Sequence, residues 1–428
     1  MDPEGVEELA EKFDVSIGTM TAILDRQEEA EILSEETSAM LGKASWAGAW
    51  IDYDDGGTVH IAVKGRAAVQ RLNVGKLPNW VKIDTVDRSL EDLLRTEEQL
   101  RTSIGQQIRT QVQSVPPQER GAFIRENRLD GDGLWRTKID IPSNQVVVVL
   151  KNGTAQAEIA AAALSGPKAL PEAAGGKAAR LEFFDDEEPA VRQTPASGCV
   201  WPSDNDCVPL RGSIETNHSC TLGFPVRLAD GAPGILTAEH CGSGPFHQNG
   251  VLIGPAVTAV NDPHGGVDAV SIRINDNNLW KVQAMVRRPG RTAVIDGNIY
   301  YDAYRISSQI NTPGDGLIGA VLCQGGWGLE VQRGLPWVTC GRLLQVYVRE
   351  GDWKDPSTQN LYAATDLFAC RGDSGGSVYS KDTGRAYGIV HAVGPGPNDC
   401  TDFNNPRMYF SWIDRVESRL NVDVMLAP

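Results

Sequence analysis

The sequence predicts a chain in two parts, an α+β N-terminal region of two helix-plus-hairpin modules followed by an all-β C-terminal domain. Three observations carry this. Before residue 150, apolar residues at helical spacing give way to paired strand-like runs around turn residues, and they do so twice. Beyond residue 199, short apolar runs are punctuated by glycines, the signature of a barrel or sandwich. All eight cysteines lie in that second part. A chain of 428 residues is also too long for one compact core.

The elements follow in order. Residues 5–42 place Val6, Leu9, Ala10 and Phe13, then Met20, Ile23 and Leu24, at helical spacing. "WAGAWIDYDDGGTVHIAV" then gives two strand-like runs around Asp54-Asp55-Gly56-Gly57, a strong hairpin signal. The plan recurs. Residues 89–112 form a helix with Leu90, Leu93, Leu94 and Leu100 on one side, and "LWRTKIDIPSNQVVVVL", residues 134–150, is a pair of strands around Pro142-Ser143-Asn144. Residues 151–198 are rich in Ala, Pro, Gly and acidic side chains and read as an exposed, protease-accessible linker, with cleavage expected between Ala190 and Arg211. In residues 199–428 come "GFPVRL", "PGILTA", "GVLIG", "DAVSIRI", "LLQVYV", "GGSVYS" and "AYGIVHAV", each a short strand. The closing "SWIDRVESRLNV" is helical, with Trp412, Ile413, Val416 and Leu420 available to pack.

A net charge of -16 argues against nucleic-acid or anionic-membrane partners, which need clustered Lys and Arg. No run approaches the roughly 18 apolar residues of a membrane span. The start "MDPEGVEELAEKF" lacks the basic-then-apolar pattern of a secretory signal, so the chain is either cytosolic or its signal has been removed or lies upstream. The cysteines, Cys199, Cys207, Cys220, Cys241, Cys323, Cys340, Cys370 and Cys400, favour an oxidising compartment: their number is even and no Cys-x-x-Cys pair points to zinc. Their spacing leaves the pairing open.

Three stretches carry chemistry. "ACRGDSGGSVY", residues 369–379, holds Ser374 among glycines; "GILTAEHCG" places His240 at the end of an apolar strand; "GGVDAVSIRI" places Asp268 at the start of another. Each alone is more simply a turn or core residue. Together they supply a nucleophile, an imidazole base and a carboxylate to orient it. The order His, Asp, Ser excludes the subtilisin order, and the α/β-hydrolase elbow fails because only His391 follows the serine and no strand–helix alternation precedes it.

With "TAEHC", "VDAVSI" and "CRGDSGGS" in order, and "SCTLGF" and "VTCGRL" between or before them, residues 199–428 resemble a chymotrypsin-fold serine protease of the bacterial alpha-lytic protease and streptogrisin group. "SWAGAWIDYDDGGTVHIAV" and "WRTKIDIPSNQVVVV" resemble the pro-region of that group. The resemblance implies a double β-barrel protease, secreted as a zymogen, whose pro-region acts as folding chaperone and inhibitor and stays a partner before and after cleavage. It implies a triad of His240, Asp268 and Ser374, an oxyanion hole from the amides of Gly372 and Ser374, polypeptide substrates, and no cofactor or metal. It implies bridges Cys220–Cys241, Cys323–Cys340 and Cys370–Cys400, leaving Cys199 and Cys207 as the remaining pair.

Departures from the family pattern shape the specificity expected. Phe368 stands where trypsin-like relatives carry an aspartate, which favours an apolar pocket. His391, Ala392 and Val393 replace Ser-Gly-Gly on the substrate-pairing strand; His391 stands where relatives have a serine near the catalytic aspartate, and Val393 either narrows the pocket or merely packs. Gln324 stands where relatives often have an arginine, so Asp373 needs another partner. Glu239 beside His240 either raises the histidine pKa or points to solvent. The competing reading is a non-catalytic binding or inhibitory relative that keeps the fold.

Overall fold

The computed structural model describes residues 3–72, 74–126, 135–151, 179–184, 210–248, 250–262, 265–295, 298–311, 316–328, 338–350, 362–367, 369–380, 383–393 and 408–427. Helix α1 (Pro3–Lys12) leads into α2 (Ile17–Leu41), which starts where the Ser16 hydroxyl accepts the Thr19 N–H and stops at Gly42, whose φ is 71°. Strands β1 (Trp46–Asp52) and β2 (Thr58–Lys64) form the expected hairpin. Its turn is set by Asp52, whose Oδ1 accepts the N–H groups of Asp54 and Asp55, and by Gly56 and Gly57 at positive φ. The short helix α3 (Arg66–Arg71) then carries the chain to β3 (Val81–Val86), parallel to β2. The sequence marks the hairpin but not this third strand.

The second module repeats the plan. Helix α4 (Leu90–Ser114) opens with a capping box between Ser89 and Asp92 and buries Leu90, Leu93, Leu100, Ile104, Ile108 and Val112 along one stripe. After α5 (Arg120–Glu126) come the hairpin strands β4 (Trp135–Asp140) and β5 (Gln145–Lys151), and then β6 (Ala179–Phe184), parallel to β5. Strand β6 falls inside the stretch read as a linker. Its physical reason lies in β5, where the consecutive Val146, Val147 and Val148 are all buried, as in a strand covered on both faces with neighbours at both edges. Residues 152–178 and 185–198 of that stretch lie outside the described residues.

In the C-terminal part, β7 (Pro225–Leu228), β8 (Pro233–Thr237), β9 (Phe246–Gln248), β10 (Val251–Gly254), β11 (Ala256–Asp262) and β12 (Val267–Arg273) precede a single helical turn, α6 (Asn277–Trp280). Strands β13 (Met285–Ile295) and β14 (Asn298–Arg305) pair with each other. Next come β15 (Ser308–Gln309), β16 (Val321–Gly325), β17 (Val338–Glu350), β18 (Tyr362–Thr365), β19 (Ser377–Ser380), β20 (Arg385–Val393) and β21 (Met408–Trp412). The chain closes with α7 (Ile413–Leu420) and β22 (Val422–Val424). Strands β16, β19, β20, β21, β18 and β17 pair in that order and β17 returns to β16, so six antiparallel strands close on themselves. The first half is a five-stranded sheet, β11-β12-β8-β7-β22, which does not close among the described residues. Helix α7 joins the halves: it follows β21 directly, buries Ile413, Val416 and Leu420, and reaches the first half through Arg415, which donates to Gly265 O at 3.0 Å, and Arg419, which pairs with Asp262 of β11.

The boundary read at residue 150 crosses a continuous sheet. The far end of β17 pairs Val348, Arg349 and Glu350 with Lys138, Thr137 and Arg136 of β4, so β4, β5 and β6 extend the barrel sheet. Helix α2 lies on the other side. Its buried Gln27 accepts the Val321 N–H at 2.7 Å and donates to Val321 O at 3.2 Å, serving β16 as a strand partner would.

Candidate active site

Two strands and a turn bring His240 and Asp268 into contact, and a second turn sets the Ser374 backbone beside the His240 turn. Strand β8 runs out at Thr237 into a single tight turn, Glu239–Cys241, that presents His240. Neighbouring β12 pairs Val270 with Thr237, and two residues earlier it places Asp268, fully buried, below the imidazole. The carboxylate of Asp268 accepts four hydrogen bonds. Its Oδ1 takes the backbone N–H groups of Glu239 at 2.7 Å and His240 at 3.1 Å; its Oδ2 faces Nδ1 of His240 at 2.5 Å and Nδ1 of His391 at 2.7 Å. A carboxylate can only accept, so both imidazoles carry their proton on Nδ1, and Nε2 of His240 keeps a lone pair.

Burial by itself raises the Asp268 pKa, but the hydrogen bonds from His240 and His391 and their charge outweigh it and hold the group far below the carboxylate range. His240 moves the other way. Its bond to Asp268 raises its pKa above 6.5 against the opposing effect of burial, with added pull from the charges of Asp268 and Glu239. Glu239 is held by the Asn261 amide at 3.1 Å, so its side chain is not simply turned to solvent.

Ser374 sits in the turn between Cys370 and β19. Asp373 N–H donates to Cys370 O at 3.0 Å and Gly376 N–H to Asp373 O at 2.8 Å, which bends the chain around the serine. Gly372 has φ 98° and Gly375 φ 86°, in the region that favours glycine, and a Cβ on Gly372 would stand 2.6 Å from the Trp327 ring. The loop is tied to the His240 turn. Thr221 N–H donates to Ser374 O at 2.9 Å, the Thr221 hydroxyl donates to Gly372 O at 2.6 Å, and the disulfide Cys220–Cys241 flanks both. Cys241 Sγ lies 3.8 Å from Ser374 O.

Against the expectation that Asp373 needs a partner other than Gln324, Gln324 itself is one of its partners. Asp373 is fully buried, and its Oδ2 accepts the Cys370 N–H at 2.6 Å and the Gln324 amide at 3.2 Å. Cys323–Cys340 is a disulfide, and Cys370 is disulfide-bonded. Cys400, Cys199 and Cys207 lie outside the described residues, as does Phe368. Of the remaining residues placed at the substrate strand, His391 is turned onto Asp268, while Ala392 and Val393 pair with Tyr409 and Met408 of β21. Sequence reasoning did not foresee the Thr221 contacts, nor that Asp268 N–H donates to the Ser411 hydroxyl at 3.1 Å.

No family model matches the chain. Among solved structures, it is similar to a protease of Nocardiopsis (21% identity, covering 50% of this chain and 97% of that one, TM-score 0.36) and to protease A of Thermobifida fusca (18%, 51% and 98%, TM-score 0.36). It is also similar to a glutamic acid specific serine protease described as using a histidine triad in substrate binding (19%, 50% and 100%, TM-score 0.35). At these identities and scores the likeness assigns no activity to this chain.

Proposed function

We propose that the chain is a serine endopeptidase of chymotrypsin-like double-barrel architecture, made as a zymogen and acting outside the cell. The observation that carries this is the buried Asp268 carboxylate, locked by two backbone amides on one oxygen and holding Nδ1–H of His240 on the other, beside the bent Gly-Asp-Ser-Gly loop. Ser374 Oγ attacks the peptide carbonyl carbon as His240 Nε2 takes its proton. The Gly372 and Ser374 amides receive the charge that develops on the carbonyl oxygen, each such donor worth about 3 kcal/mol. As the C–N bond breaks, His240 passes the proton to the departing amine and leaves an acyl-enzyme. Water then adds to the ester carbonyl, giving a proton to His240, which returns it to Ser374 as the carboxylic acid product departs.

Residues 1 to about 198 are the pro-region in this reading, folding template and inhibitor at once, and they leave when the stretch before Arg211 is cut. The slow folding of sheets rich in non-local pairings gives such a template its use. An apolar residue before the scissile bond is favoured by Phe368, and Cys370–Cys400 braces the serine loop. A second reading, a non-catalytic relative, draws on His391, which shares Oδ2 with His240. Hydrolysis of a peptide library by the protein freed of its first part, lost in Ser374→Ala with the fold retained, separates the two. Retained hydrolysis in Ser374→Ala overturns the nucleophile assignment, and no hydrolysis by wild type favours the binding relative.

A further inference from the structure

The hairpin of the first module carries a side-chain cluster that the hydrolytic reading does not use. His60 on β2 stacks on Trp50 of β1 with ring centroids 4.7 Å apart, which fixes the plane of its imidazole. Its Nδ1 faces Asp84 Oδ2 of β3 at 2.6 Å, so the proton resides there and Nε2 carries the lone pair. The ring is 13% exposed, and Nε2 is buried with no hydrogen-bond partner. That nitrogen faces Asp52 Oδ2 at 3.8 Å. The other oxygen of Asp52 is occupied by the N–H groups of Asp54 and Asp55, which aims Oδ2 back at the ring. One donor atom each from Asp52, Asp55 and His60 lies within 4.8 Å of the others.

We propose that His60, Asp52 and Asp55 form a site for a divalent transition metal of the zinc class, with Asp84 as the carboxylate that orients the histidine. Two ligand atoms 3.8 Å apart are too far for a hydrogen bond, and a cation held at about 2.0–2.2 Å from each fits between them. A carboxylate on the other ring nitrogen is the usual support of a metal-bound histidine. An imidazole in the set favours zinc-class ions over calcium or magnesium, which prefer all-oxygen cages. Lys82 is the built-in competitor. Its ammonium pairs with Asp55, and it is 56% exposed, free to swing out when a metal takes that carboxylate.

The site also has a place in the architecture. The strand that supplies Asp52 joins the C-terminal part through Ile51 N–H to Ile318 O and Ile318 N–H to Ala49 O, and Tyr53 donates to Gly319 O. Metal binding at the hairpin therefore stiffens the edge by which the N-terminal sheet holds the barrel.

The test uses the full chain carrying Ser374→Ala, titrated with Zn²⁺ by calorimetry and followed by thermal unfolding. One saturable equivalent is expected, with a rise in the unfolding midpoint. His60→Gln removes that equivalent, Asp84→Asn weakens it by about 10- to 100-fold, and Lys82→Gln tightens it because the competing ammonium is gone. His391→Gln leaves it in place, which separates this site from the imidazole pair on Asp268. Absence of a saturable equivalent overturns the proposal. So does binding that survives His60→Gln, or a Lys82→Gln variant that binds no tighter.

Discussion

Replacing Asp268 by Asn tests the hydrogen-bond arrangement atom by atom. The two backbone N–H groups on Oδ1, from Glu239 and His240, can only donate, so the carboxamide must put its oxygen there. Its NH2 then occupies the position of Oδ2, facing Nδ1 of both His240 and His391. To accept from it, each ring must move its proton to Nε2, and His240 loses the lone pair that takes the Ser374 proton. The opposite orientation sets the NH2 against two amides in a fully buried place, at about 1–3 kcal/mol for each unsatisfied group. The first orientation therefore prevails. The expected result is a fall in kcat of about 10⁴-fold, which is about 5.5 kcal/mol of barrier, with fold and KM largely kept. Steady-state hydrolysis of a peptide amide gives kcat, and ¹⁵N NMR of the histidines reports the tautomer. A loss smaller than tenfold, or an Nδ1–H tautomer persisting at His240 in the variant, would refute the reasoning.

The pH profiles of activity and stability run in different senses. Activity needs neutral His240, so kcat/KM should rise through a midpoint above the ordinary 6.5, and a midpoint at or below it contradicts the Asp268 contact. For stability, the raised His240 pKa gives a contribution present below about 6.5 and lost as pH rises through the folded value. The depressed Asp268 pKa gives one present above about 3.9 and lost as pH falls through the folded value, readable in denaturant midpoints across acid pH. Gln324→Ala takes one donor from the buried Asp373 and should destabilise the protein by about 1–3 kcal/mol, with slower acylation of Ser374; urea unfolding and single-turnover kinetics check the two effects. Arg385 of β20, 8% exposed, pairs with Glu31 and Glu35 of α2. Arg385→Ala removes the charge partner of buried Glu31, which keeps the Gln27 amide at 2.8 Å, and should weaken the hold of the N-terminal region on the barrel by about 3–5 kcal/mol, measured by inhibition with the separated N-terminal region; unchanged inhibition contradicts that role.

Much of the candidate site was legible because its chemistry is local in sequence. His240 ends a strand, Asp268 begins one, and Ser374 sits where glycines must bend the chain, so each leaves a short written trace. The long helices were legible from their apolar period, as in the stripe Leu90, Leu93, Leu100, though the break between α1 and α2 and the short helices α3, α5 and α6 were not. What escaped was non-local. Strand β3 alternates Val81, Lys82, Ile83 and Asp84 after a turn closed by Val81 N–H to Pro78 O, but no antiparallel partner follows it in sequence, and its parallel pairing with β2 defines it. The join of β17 to β4 depends on backbone groups, which any sequence supplies. His391 lies 123 residues from Asp268, and only the resemblance, which puts a serine near the catalytic aspartate at that position, pointed to the contact. Gln324 and Asp373 likewise find each other only once β16 and the serine loop are packed together.

The most direct test of the central claim is labelling by a fluorophosphonate, followed by peptide mapping, of the wild-type chain beside Ser374→Ala and His240→Ala. The account predicts phosphonylation at Ser374 in wild type, none at that position in Ser374→Ala, and labelling slowed by orders of magnitude in His240→Ala. Absence of modification in wild type even after the N-terminal part is removed, or modification at another serine with Ser374 untouched, would contradict it.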